Sequence, residues 1–99
     1  MAGTVDERSV MALTPSYRLQ WEQAQQAFVL LYPEGMVTLN PSAGEILSRC
    51  DGTRSVGDII EELSKAYPED NLTADVIEFI EVACDEGWLR PRESSESRP

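Results

Sequence analysis

The stretch from residue 30 to residue 45 constrains the fold most, because it predicts a strand, a tight turn, a second strand and a helix in immediate succession. Pro33 fixes the φ angle that a turn favours at its second position, and Gly35 can adopt a positive φ. The chain is therefore expected to reverse direction between Tyr32 and Gly35 as a β-hairpin. This hairpin predicts an antiparallel sheet in the first half of the chain.

The segment after the turn predicts a strand over Met36–Asn40 and then the start of a helix. Val37 and Leu39 alternate with polar neighbours, which is the period of a strand with one dry face. Ser42 and Glu45 form the Ser-x-x-Glu pattern of a helix capping box. A strand at the edge of a sheet presents unpaired N–H and C=O groups. A protein must protect these groups from unwanted pairing, cover them with another element or use them to bind a partner. We therefore take this edge as the candidate interaction site.

Two further strands are predicted before the hairpin turn. Alternating residues from Tyr17 to Glu22 indicate a short half-buried strand, and the apolar run Ala27–Tyr32 indicates a central strand. Three amphipathic helices follow, the first ended by Asp51-Gly52, the second capped by Ser55 and the third ended by Gly87. The predicted fold is α+β and winged-helix-like, with a three-stranded antiparallel β-meander followed by a three-helix bundle.

The length of the chain allows one domain with a small core. Residues 1–15 lack a sustained period and are expected to form a flexible arm. Residues 16–90 form the predicted domain, and the polar residues 91–99 are expected to be a disordered tail.

The charge of the chain disfavours two classes of partner. Its formal net charge is −10, and the third predicted helix contains no Lys or Arg. Winged-helix proteins often bind DNA through this helix, but here it would bring carboxylates to the phosphates, so nucleic-acid binding is disfavoured. Anionic membrane surfaces are disfavoured for the same reason. The acidic residues of the helix are Asp75, Glu78, Glu81, Asp85 and Glu86.

The residue types also argue against an enzyme. The chain has no histidine, which is the commonest general base, and no glycine-rich phosphate loop. Its two cysteines, Cys50 and Cys84, lie at apolar positions of predicted helices and are expected to be buried thiols. We therefore expect no catalytic residues, no metal and no cofactor. Without a signal peptide or a spanning segment, a cytoplasmic location is expected.

The third predicted helix has an apolar residue outside its core face. At 100° per residue, Phe79 lies at the margin of the apolar arc and Val82 lies among acidic residues. Such a residue can be offered to a partner, although single exposed apolar residues are ordinary. Together with Ala83, they are the candidate contacts on the helix side.

Five short fragments, in order, resemble the PqqD family of pyrroloquinoline quinone biosynthesis proteins. The resemblance covers the chain from about Arg18 to Leu89. The fragments are Arg18–Glu22, Leu31–Asn40, Ser42–Leu47, Cys50–Gly52 and Gly87–Leu89.

The resemblance implies a RiPP recognition element, a peptide-binding chaperone without an activity of its own. It implies capture of the precursor peptide PqqA as an added strand, and presentation of that peptide to the radical S-adenosylmethionine enzyme PqqE. The strand side of the implied groove is Met36, Val37, Thr38, Leu39 and Asn40. The alternative is an acidic winged-helix adaptor that associates with itself, because a free edge can also recruit a second copy as a homodimer by edge pairing or strand exchange.

Overall fold

The computed structural model describes residues 5–92, which form an α+β fold with six strands in two antiparallel sheets and three helices. The predicted α+β class is confirmed, whereas the predicted count of three strands is too low. The elements in chain order are β1 (Val10–Leu13), β2 (Arg18–Glu22), β3 (Ala27–Tyr32), β4 (Gly35–Thr38), α1 (Pro41–Ser48), β5 (Asp51–Ser55), α2 (Val56–Ala66), α3 (Thr73–Asp85) and β6 (Leu89–Pro91).

One sheet contains β2, β3 and β4, hydrogen-bonded in chain order. The hairpin forms where the sequence predicts it, since Tyr32 pairs with Gly35 across a two-residue turn. Gly35 does not take a positive φ, and among the described residues only Gly52 and Gly87 do so as glycines. Because Gly35 is already the first residue of β4, the reversal is made by the two residues before it.

The same sheet packs one face on the helices. Pairing puts Leu30 of β3 beside Leu19 and Val37, and Leu30 is fully buried. On the same face, Phe28 packs so closely on α1 that a Cβ atom added at Gly44 would lie 2.8 Å from Phe28 Cδ2. This close approach holds the start of α1 against the middle strand.

The other sheet has the order β5-β1-β6 and was not anticipated from the sequence. Its central strand β1 comes from the predicted flexible arm, and Met11 in it is only 3% exposed. Pro91, the first residue of the predicted tail, lies in β6 and pairs with Met11. The described part of the arm is thus integrated into the fold. Residues 1–4 of the arm and 93–99 of the tail lie outside the described residues.

The N-terminal segment also completes the start of α2. The carbonyl oxygens of Glu7 and Ser9 accept hydrogen bonds from Gly57 and Val56, each at 2.8 Å. The next amide, that of Asp58, donates a hydrogen bond to Ser55 Oγ. Ser55 is the predicted cap, and it forms a complete capping box with Asp58. The first amides of α2, which no helical carbonyl can reach, are therefore bonded by the segment before β1 and by the cap.

The start and end of α1 differ from the prediction. The N-cap is Asn40, whose Oδ1 accepts a hydrogen bond from Ala43 N at 2.8 Å, so Ser42 does not form the predicted capping box. Pro41 suits the first helical position, because it lacks an N–H and has a suitable φ. The helix therefore begins earlier in the chain than the predicted cap at Ser42. The helix ends at Ser48, and Gly52, at φ +84°, lies in strand β5 and not at a helix stop.

The hydrophobic core lies between the three helices and the strands that cover them. It includes Ile59 and Ile80, which are fully buried, and it extends to Met11 of β1 and Leu89 of β6. Within residues 5–92, no helix is long and apolar enough to cross a membrane.

Candidate functional site

Strand β4 is an edge strand in the part of the chain that the structure describes, since only β3 pairs with it. Leu39 N donates to Phe28 O at 2.9 Å just beyond the end of β4. Hydrogen-bonded pairs alternate in an antiparallel ladder, so Val37 also bonds inward to β3. Met36 and Thr38 then direct their N–H and C=O groups to the open side. The predicted edge therefore offers two residues with unpaired backbone groups.

The side chains of the predicted strand residues have very different exposures. Met36 is 54% exposed, Thr38 is exposed and Val37 is half-buried against the core. Leu39 is only 5% exposed and belongs to the core. Asn40 is exposed, and its side chain caps α1. The strand thus presents Met36 and Thr38 outward, while Leu39 anchors it from beneath.

Helix α3 presents two of its three candidate residues. Val82 is 48% exposed and Phe79 is half-buried, and their spacing of three puts them on one flank of the helix. Ala83 is fully buried, so its side chain is not accessible to a ligand. The opposite flank is occupied, because Cys84 Sγ lies 3.8 Å from Met11 Sδ of β1.

A cavity of about 420 Å³ is lined by one candidate residue from the strand side, Asn40, and one from the helix side, Phe79; the other candidate residues of β4 and α3 do not line it. It begins at Asn40, just past β4, and reaches Phe79 of α3. Most of its wall is apolar and comes from all three helices. Contributing apolar residues are Ala43, Ile46, Leu63, Leu72 and Val76, and Tyr67 at the end of α2 completes the wall.

The cavity brings in residues that the sequence did not single out as a site. Tyr67, a large aromatic residue directly after the last turn of α2, is 44% exposed. Leu72 lies immediately before α3. Neither residue has a distinctive sequence neighbour, and only the packing of α2 on α3 places them together.

Three carboxylates also line the cavity, and no Lys or Arg does. Glu45 is neutralised by Arg49, with Oε1 and Nη1 2.6 Å apart. Asp70 and Asp75 form no ion pair with any residue of the described chain. The cavity therefore combines an apolar interior with uncompensated negative charge.

The two thiols do not line this cavity. Burial raises the pKa of Cys50 to about 12, and burial followed by the charges of Asp85 and Glu81 raises the pKa of Cys84. Both thiols stay protonated at neutral pH and are unreactive as nucleophiles. No group of three or more His, Cys, Asp or Glu side chains is placed to hold a metal ion within residues 5–92.

Comparison with known protein families assigns this chain to a family. The family described as "Coenzyme PQQ synthesis protein D (PqqD)" matches residues 27–89. The chain belongs to the PqqD family. The resemblance stated from the sequence fragments is thereby confirmed.

Relatives from this family match most of the chain. A protein named "PqqA binding protein" from Klebsiella pneumoniae is 46% identical over 90 residues, which cover 90% of this chain and 98% of that protein. A protein of the same name from Pseudomonas entomophila is 52% identical over 85 residues, covering 85% of this chain and 93% of that protein.

A solved PqqD structure shares the fold. It is the solution NMR structure of the PqqD truncation of Methylobacterium extorquens PqqCD, described as a functional and stand-alone RiPP recognition element. The TM-score is 0.74 at 26% identity, and the match covers 91% of this chain and 99% of that one.

Proposed function

We propose that this protein binds the ribosomally made precursor peptide PqqA by strand addition at β4 and presents it to the radical S-adenosylmethionine enzyme PqqE. The open edge of β4, with the backbone groups of Met36 and Thr38 unpaired by β3, is the observation that carries the proposal. The relatives named for PqqA binding support the identity of the peptide.

The energetics of strand addition require more than backbone pairing. Each backbone hydrogen bond contributes about 0.5 to 1.5 kcal/mol net, whereas ordering each peptide residue costs about 1 to 2 kcal/mol. These two contributions roughly cancel, so net affinity must come from apolar side chains. Each well-buried apolar side chain contributes about 1.5 to 3 kcal/mol. The exposed Met36 and Val82 and the half-buried Phe79 are the apolar surface available to such side chains.

The proposed role is that of a binding protein without catalysis. The accessible groups of the site are backbone amides, apolar side chains and carboxylates, which suit recognition of a peptide. Reaction of the peptide belongs to the enzyme that receives it. The proposed place of action is the cytoplasm, where free thiols such as those of Cys50 and Cys84 persist.

The decisive variant changes one backbone group at the open edge. Thr38→Pro removes an N–H that β3 does not use, so the sheet should remain folded, since proline is tolerated at the solvent side of edge strands. We expect PqqA affinity, measured by calorimetry, to fall about three- to tenfold, in line with the loss of one hydrogen bond.

Thr38→Ala is the matched control, because it removes the same side chain and keeps the N–H. Its affinity should remain within about twofold of the wild type. Equal affinity of the Thr38→Pro and Thr38→Ala variants would contradict strand addition at this position. Sedimentation at rising protein concentration separates peptide capture from the alternative, in which β4 pairs with β4 of a second copy as a self-associating adaptor.

A further inference from the structure

The cavity lies where a peptide added to β4 would continue. Residues 35–38 form the strand, Leu39 extends the ladder by one bond, and Asn40 opens the cavity wall. The cavity therefore adjoins the end of β4 through Asn40, and it contains no residue of β3, the strand that pairs with the other side of β4.

The volume of the cavity suits a large side chain. The cavity measures about 420 Å³, within the range of about 300 to 1,000 Å³ typical of ligand pockets. Its apolar wall rewards burial of an aromatic or large aliphatic group, and no polar side chain of the described chain is fully buried in it.

The charges of the cavity wall also limit which peptide residues can lie beside it. Asp70 and Asp75 are exposed, and neither has a cationic partner within residues 5–92. A peptide carboxylate brought here would be repelled, whereas a Lys or Arg next to the buried side chain would supply the missing counter-charge.

We infer that this cavity is a specificity pocket for a segment of the bound peptide in which a large apolar side chain is adjacent to Lys or Arg. The inference rests on the proposed function, because it takes the occupant to be the peptide held at β4. The apolar residue enters between Tyr67 and Phe79, and the cation pairs with Asp70 and Asp75.

A pair of double variants tests the charge requirement. Asp70→Asn with Asp75→Asn removes two charges from the cavity wall. Glu78→Gln with Glu81→Gln removes two charges from α3 outside this cavity, so both proteins have the same net charge. Because exposed ion pairs contribute only modestly to binding, we expect the first variant to bind PqqA about three- to tenfold more weakly and to lose part of its salt dependence. The second should bind within about twofold of the wild type.

A steric variant tests the apolar requirement. Ser42 is exposed and lines the mouth, so Ser42→Trp should fill the entrance and weaken PqqA binding about tenfold. Ser16→Trp, at an exposed turn outside this cavity, is the control and should leave binding unchanged. Thermal melts establish that each variant is folded.

The results separate this inference from the proposed function. If wild-type protein fails to bind PqqA, the proposed function itself fails. If wild-type protein binds but both double variants weaken binding equally, or neither does, the specificity pocket is refuted while strand addition stands. Equal binding by Ser42→Trp and Ser16→Trp would refute the pocket in the same way.

Discussion

The two sheets of this protein are built in opposite ways. The β2-β3-β4 sheet comes from three consecutive strands joined by tight turns, and its edge strand β4 stays open. The β5-β1-β6 sheet joins residues 10–13, 51–55 and 89–91, which are far apart in the chain. The local sheet therefore leaves β4 unpaired on one side, whereas the long-range sheet ties the two ends of the described chain to the core. Binding and stability are expected to respond to mutation in different sheets.

Two methionines offer the largest contrast between the sheets. Met11 in β1 is 3% exposed and Met36 in β4 is 54% exposed. Met11→Ala should lower the free energy of unfolding by about 2 to 5 kcal/mol, because it removes buried volume. Met36→Ala should change it by no more than about 0.5 kcal/mol and should instead weaken PqqA binding. Urea unfolding and calorimetry on both variants measure these effects, and a large stability loss for Met36→Ala would contradict the peripheral role of β4 in stability.

Replacing the two helix caps should give a smaller effect and should again separate stability from PqqA binding. Ser55 caps α2 at the end of the long-range sheet, and Asn40 caps α1 beyond the local sheet. Replacing either by Ala should cost about 1 kcal/mol of stability. Only Asn40 also lines the cavity, so only Asn40→Ala should reduce PqqA affinity beyond the stability effect. Equal affinities of the two variants, measured where both are fully folded, would contradict a role for this end of β4.

The smallest effect concerns an ion network beside β5. Glu62 of α2 accepts hydrogen bonds from Arg54 Nε at 2.8 Å and from Arg49 Nε at 3.1 Å. The bond from Arg54 is the main cause of a lowered pKa at Glu62. A carboxylate with a lowered pKa in the folded state stabilises above its unfolded pKa and loses that effect as the pH falls through the folded value.

Glu62→Gln should therefore melt slightly below the wild type at pH 7. The difference should shrink once the pH drops below about 4.5, the ordinary value for this group. Melting curves at pH 7 and pH 3 measure it, with Glu61→Gln, a more exposed neighbour in a longer ion pair of 3.8 Å, as the control. A difference that grows towards pH 3 would have the wrong sign.

The elements that can be predicted from the sequence are those with a local signal. The hairpin turn, the central strand, the α2 capping box and the glycine that ends α3 are each set by residues close in the chain. The β5-β1-β6 sheet was missed because β1 has only four residues and β5 has the polar sequence Asp-Gly-Thr-Arg-Ser. Neither segment shows a period that identifies a strand, and their pairing depends on contacts across the whole chain.

In the candidate site, too, some residues follow from local sequence patterns and others only from how distant segments pack. The edge at Met36 and Thr38 and the exposed Val82 follow from alternation and helical spacing. Ala83, also a candidate contact on the helix side, is fully buried, one step of 100° along the helix from the exposed Val82. The cavity wall at Tyr67 and Asp70 could not be predicted, because it requires knowing how the end of α2 meets α1 and α3.

Strand addition at β4 can be observed by amide NMR of isotopically labelled protein titrated with PqqA. Strand addition at β4 predicts the largest shift changes at Met36, Val37 and Thr38, with further changes at Phe79 and Val82. The amides of the β5-β1-β6 sheet should move little. Shift changes confined to that sheet, with β4 unaffected at saturating peptide, would rule out strand addition at β4.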